Sequence, residues 1–224
     1  MKIEIPKKSV LKLLGYAGGE IKPSIASAVD ECIRDAGNLA EPKFAYRFDD
    51  LTKSAAGVAL AGAACAMPGA DICRHLAKSE RCCVLALTVG AGIEDESKRL
   101  MENEPLKGFI LDACGSAAAE ALADAVQEKI AEEAAGMGFF LTSRYSPGYG
   151  DLTLDVQPII LKFLDAENQL GISITGSFML IPRKSITAFI GLQEEPFIPE
   201  VEKCTLCHAF EGCAFLKKGL FCGD

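Results

Sequence analysis

Apolar residues recurring at three- and four-residue steps mark the longest helix, from residue 105 to about 135. Leu106, Ile110, Ala113 and Ala117 form one ladder, and continuing it lands on Glu120 and Asp124. A core stripe thus runs into two carboxylates. An earlier helix is expected after Pro23, which suits a first helical turn. Ile25, Ala28, Val29, Cys32 and Ile33 recur there at helical spacing, and Gly37 reads as its stop. Residues 3–14 fit a short strand or a helix, followed by a Gly-rich turn at 15–19. Residues 43–48 alternate like a strand. The run 82–88, Cys-Cys-Val-Leu-Ala-Leu-Thr, is continuously apolar and reads as a buried strand. The segment 54–67 is small and apolar with two glycines, and fits a helix or another buried element. Residues 154–164 read as a further helix. Residues 171–192 alternate around turns as two or three antiparallel strands: 172–175, 177–181, a turn at 182–184, and 185–191.

These elements predict an α+β fold: a mainly antiparallel twisted sheet with flanking helices, plus a short Cys-rich C-terminal appendage. The expected organisation is an N-terminal α/β part over 1–80 packed on the core, a central region over 81–195 and a tail over 196–224, with 196–202 resembling a linker. At 224 residues, 50% of them hydrophobic, the chain can bury a sizeable core. No stretch stays apolar for the ~20 residues a bilayer crossing requires. The N-terminal residues lack the apolar core and cleavage site of a secretion signal. No membrane association is expected, and the expected location is the cytoplasm. A net charge of -8 repels nucleic acid, whose binding depends on matching cations to phosphates. Nucleic acid is therefore excluded as an expected partner. Lys7 with Lys8 and Lys217 with Lys218 are short solubilising runs. The glycines at 90 and 92 follow a strand, but the third glycine of a dinucleotide fingerprint is missing, so a tight turn is expected.

Ten cysteines without an export signal point to thiols in a reducing compartment. Cys32, Cys65, Cys73, Cys82, Cys83 and Cys114 lie in apolar or helical contexts and behave as small hydrophobes. Cys204, Cys207, Cys213 and Cys222 crowd into the tail beside His208. Two thiols at a Cys-x2-Cys spacing with two more nearby suit one metal, either zinc or an iron–sulfur cluster, with uncoordinated thiols or a disulfide as the alternatives. The only histidines are His75 and His208, so triad chemistry has little support. His75 is expected on the surface.

The hexapeptide 144–149, Arg-Tyr-Ser-Pro-Gly-Tyr, is the segment richest in binding chemistry. Pro147 sets φ near -65° and Gly148 accepts positive φ, which fixes a rigid turn. Arg144 offers a bidentate fork for a carboxylate. Tyr149 supplies a flat face with a polar tip. A ligand with a carboxylate at one end and an aromatic ring at the other fits this combination, as does a plain surface turn with a solvated arginine.

The loop, the helix before it and the segment 174–182, Ile-Thr-Gly-Ser-Phe-Met-Leu-Ile-Pro, together resemble the activation domain of cobalamin-dependent methionine synthase. That family carries an R-x-x-P-G-Y loop and a T-x-S-F-x-x-x-P segment in this order, and the resemblance spans roughly residues 82–192. It implies a free-standing relative that binds S-adenosylmethionine and supports reductive remethylation of an oxidised cobalamin carried by a partner. The partner would be a methionine synthase or another corrinoid methyltransferase, with the electron coming from a carrier such as flavodoxin or ferredoxin. It also implies Arg144 on the ligand carboxylate, the Ser146 backbone on the adenine edge, Gly148 in the turn, Tyr149 beside the ligand, and Glu120 on the ligand ammonium. Asp124 is expected to belong to a solvated face. Methyl transfer from a sulfonium needs positioning rather than a general acid or base. Enzyme-fused members follow the loop's tyrosine with Pro-Ala-Cys-Pro, where this chain has Gly150-Asp-Leu-Thr153, and a further acidic contact of the fused domain has no counterpart here. Two alternatives from other classes remain: an iron–sulfur protein that reduces corrinoid proteins directly, and a zinc-stapled interaction module.

Overall fold

A computed structural model of the chain describes residues 2–16, 20–54, 57–62 and 65–197. Its centre is strand β4, Arg81–Thr88, buried from Cys82 to Thr88. The run shows no polar alternation because both of its faces are covered. Cys83, Leu85 and Leu87 meet one hydrophobic cluster, and Cys82, Val84 and Ala86 meet another. β1 (Lys43–Ser54) pairs antiparallel along one side of β4, and β8 (Ser185–Gln193) along the other. β2 (Gly57–Leu60), β3 (Cys65–Met67) and β5 (Phe140–Leu141) complete a six-stranded sheet in the order β3-β2-β1-β4-β8-β5. Every pairing among the described strands is antiparallel. A separate small hairpin joins β6 (Ser173–Ile174) to β7 (Leu180–Ile181).

Helices cover both faces. On the first lie α1 (Lys7–Leu13), α2 (Pro23–Leu39), α4 (Gly92–Asn103) and the long α5 (Pro105–Gly136). On the second lie α3 (Ala70–His75), a 3-10 turn at Leu154–Val156, α6 (Gln157–Phe163) and α7 (Ala166–Leu170). The mixed α/β architecture with an antiparallel sheet and flanking helices agrees with the expected class.

Several expectations change in detail. Within residues 3–14 the helix is confined to Lys7–Leu13 and is entered at Pro6. α2 begins at Pro23 as expected but passes Gly37 and ends two residues later, with the Ala40 N–H bonded to the Ala36 carbonyl. The described part of 54–67 is strand and turn, not helix: β2 pairs back on β1, and β3 pairs on β2. The helices α3, α4 and α7 carry too few apolar positions to be seen in the pattern. α4 buries only Ile93, Glu94, Ser97 and Leu100, and two of those are polar. Leu106 begins the expected ladder but is 56% exposed, while Ile110, Ala113 and Ala117 are buried. The turn at Gly90 packs on Glu41, and Gly92 abuts the Leu39 carbonyl, so this turn is filled by chain. Among the described residues no helix is long and apolar enough to cross a membrane.

Candidate functional site

Beyond Ala119, α5 buries one stripe, Leu122, Ala123, Val126, Ile130 and Ala134, and turns its other side outward. Glu120, Asp124 and Gln127 fall on that outward side at helical spacing. β5 then runs antiparallel to the end of β8, which carries the chain back alongside α5. Arg144 emerges there. Its Nη1 donates to Gln127 Oε1 at 2.9 Å, and its Nη2 reaches Asp124 Oδ1 at 2.8 Å and Glu120 Oε2 at 3.3 Å. Arg144 and Glu120 are therefore brought together across the gap between loop and helix. Asp124, expected to be merely solvated, lies closer to the guanidinium than Glu120 does. The arginine side chain is 20% exposed, against 61% for Glu120 and 69% for Asp124. Such pairs are worth about 0–1 kcal/mol each because water screens the carboxylates. A ligand carboxylate can displace one at small cost. Beside them Asp124, Gln127, Glu128 and Ala131 line an open groove of about 280 Å³.

The loop itself is held by backbone. Tyr145 exchanges both hydrogen bonds with Phe189 of β8, each at 2.9 Å. The Tyr149 N–H donates to the Ser146 carbonyl at 3.0 Å, closing the turn in which Gly148 has φ +94°. That φ is the reason for glycine at this position. Gly148 N–H donates to the Leu152 carbonyl at 2.7 Å, and buried Leu152 roots the far end of the loop. Pro147 is buried beneath the turn while Tyr149 stays 55% exposed. The Tyr145 and Tyr149 rings meet edge to face at 5.9 Å, and the Tyr145 hydroxyl donates to the Tyr149 carbonyl. Burial, with Asp71 and Asp151 nearby, pushes the Tyr145 phenol up to about 12, so it stays a donor.

His75, expected on the surface, is only partly exposed there. It is half-buried, its Nε2 lies 2.9 Å from the Ser143 carbonyl, and its ring lies 5.1 Å from that of Tyr145. Gln127 was discoverable in the sequence, because it continues the ladder three residues past Asp124. His75 and Asp151 had no local signal: their partners lie 68 to 81 residues away. Cys204, Cys207, Cys213 and Cys222, with His208, lie outside the described residues. Among the described residues no group of three or more His, Cys, Asp or Glu is placed to hold a metal ion. Cys32, Cys82, Cys83 and Cys114 are buried free thiols, as expected of small hydrophobes, and Cys73 is half-buried.

Residues 63–205 match the family model described as the vitamin B12 dependent methionine synthase activation domain. In three dimensions the chain is similar to the crystal structure of the MetH reactivation domain bound to AdoHcy. The TM-score is 0.63 at 12% identity, over 96% of this chain and 83% of that one. At that identity the likeness is one of fold. No curated protein matches the chain in sequence.

Proposed function

The chain belongs to the vitamin B12-dependent methionine synthase activation-domain family, and from that premise we propose that it binds S-adenosylmethionine between the Arg144 loop and α5. The solved relative of like fold is bound to AdoHcy, the demethylated product of that ligand. The observation that carries the reading is the convergence of Arg144 with Glu120, Asp124 and Gln127 beside a rigid Pro-Gly turn. An amino-acid-bearing sulfonium presents a carboxylate for the guanidinium and an ammonium for a helix carboxylate. Its net positive charge suits a site where two carboxylates outnumber one arginine. The Ser146 backbone and the exposed Tyr149 ring are left to the adenosine end.

When bound, the ligand would supply a methyl group to a one-electron-reduced cobalamin carried by a partner methionine synthase or corrinoid methyltransferase. The electron would come from a reduced carrier such as flavodoxin or ferredoxin. This chain's residues do no proton chemistry in that scheme. Arg144 orients the carboxylate, Glu120 takes the ammonium, and the turn at Ser146–Tyr149 fixes the adenosine, so that the sulfonium is held for attack. The rival readings, an iron–sulfur reductase and a zinc-stapled module, rest on the four tail thiols outside the described residues.

Calorimetry tests the proposal. S-adenosylmethionine should bind the full chain, and Arg144→Ala should weaken binding by about 1.5–3 kcal/mol, the range for a hydrogen bond to a charged group. An unchanged affinity refutes the carboxylate clamp. Revival of an oxidised corrinoid methyltransferase by the protein, S-adenosylmethionine and a reductant tests the wider role.

A further inference from the structure

A loop that positions a ligand is only as good as what holds its ends, and here one short helix holds both. Asp151, just past the loop, places its carboxylate over the first turn of α3. Oδ2 accepts the Ala70 N–H at 2.6 Å and Oδ1 accepts the Asp71 N–H at 3.1 Å. These are first-turn amides with no partner inside the helix, the groups an aspartate satisfies best. At the other end of α3, His75 Nε2 meets the Ser143 carbonyl, the residue before Arg144, at 2.9 Å. Six residues of helix, about 9 Å long, therefore contact the chain immediately before and after the binding segment.

The contact is close-packed between these pins. Gly150 has φ +50°, and a Cβ there would run into the Asp71 carboxylate and the Tyr145 hydroxyl. Gly69 has φ +124°, and a Cβ there would run into the Asp151 carboxylate. The helix in turn is rooted by Ile72 and Leu76, both fully buried against the second face of the sheet. Asp71 is held by Arg74 at 2.5 Å. The brace is thus a rigid strut from the sheet to both ends of the loop.

We propose that Asp151 and His75 are positioning residues: acting through α3, they hold residues 144–149 in the conformation that receives the ligand. The proposal rests on the S-adenosylmethionine reading. Among the described residues Asp151 hydrogen-bonds to the backbone amides of Ala70 and Asp71, so its effect on binding is exerted through loop geometry.

The test uses the full chain with three variants, Asp151→Ala, Asp151→Asn and His75→Ala, read by hydrogen exchange and by calorimetry with S-adenosylmethionine. Losing the cap should speed exchange of the Tyr145, Gly148 and Tyr149 amides by roughly five- to tenfold and weaken binding similarly. Exchange in β4 and β8 should stay slow, which shows that the variant is folded. Asp151→Asn keeps one acceptor on the first turn and should return affinity to within roughly threefold of the parent. A merely structural aspartate would change the melting temperature without that rescue of affinity. If the parent binds and Asp151→Ala binds equally well, or loop exchange is unchanged, the brace is wrong and the ligand reading survives. If the parent does not bind, both fall.

Discussion

Arg144 holds three partners on α5, and two of them, Glu120 and Asp124, share one nitrogen. This sharing separates their roles. If Glu120 receives the ligand ammonium, Glu120→Gln should weaken S-adenosylmethionine binding by about 1–3 kcal/mol. If Arg144 takes the ligand carboxylate, Asp124 competes with it for Nη2, and Asp124→Asn should leave affinity equal or improved. Titration calorimetry on the two variants gives the answer, and an equal loss in both would mean that the acidic pair acts only as a field.

The elements show where glycine is used for contact rather than for flexibility. Gly108 lies inside α5, where alanine would ordinarily gain up to about 1 kcal/mol. Here a Cβ would lie 2.8 Å from both the Met101 nitrogen and the Ser97 carbonyl oxygen of α4. Ser97 Oγ also donates to the Gly108 carbonyl at 2.9 Å. Gly108→Ala should therefore destabilise, by about 1–3 kcal/mol as overpacking does, in urea unfolding. A stabilised variant would mean that the helices separate freely. A second link of this kind is Glu94 on α4, which accepts the Arg183 N–H at 2.9 Å and pairs with Lys98. Burial disfavours its charge, but Lys98 and the Arg183 N–H outweigh that and hold its carboxyl below the usual range. The stability it contributes is present above the ordinary carboxylate range and is lost as pH falls through its folded value.

At the scale of the described molecule, helices on both faces of the sheet enclose the central strand, and the buried thiols record that enclosure. Burial pushes Cys32 up to about 11 and both Cys82 and Cys114 up to about 12. The folded state then keeps protons that the unfolded chain releases from about pH 8.5. Stability from these groups is complete below that pH and declines as pH rises toward 11 to 12. The urea midpoint should accordingly be lower at pH 10.5 than at pH 8, and buried thiols should resist alkylation at pH 8 until the protein unfolds. Equal midpoints would mean that the thiols are hydrated in the native state.

Local pattern alone determined β4, α2, most of α5, the 185–191 strand and the Pro-Gly turn, because each repeats or punctuates within a few residues. The shape of the loop was legible too, since proline and glycine act through their own φ preferences. Tertiary structure decided what no local pattern encodes. It made strands of 57–60 and 65–67 by offering β1 as a partner, and it formed α3, α4 and α7 on apolar contacts too sparse to show a period. It set Asp124 against Arg144 and clamped the loop between His75 and Asp151. Those contacts join positions tens of residues apart, and their free energy exists only after the sheet has brought its two ends together.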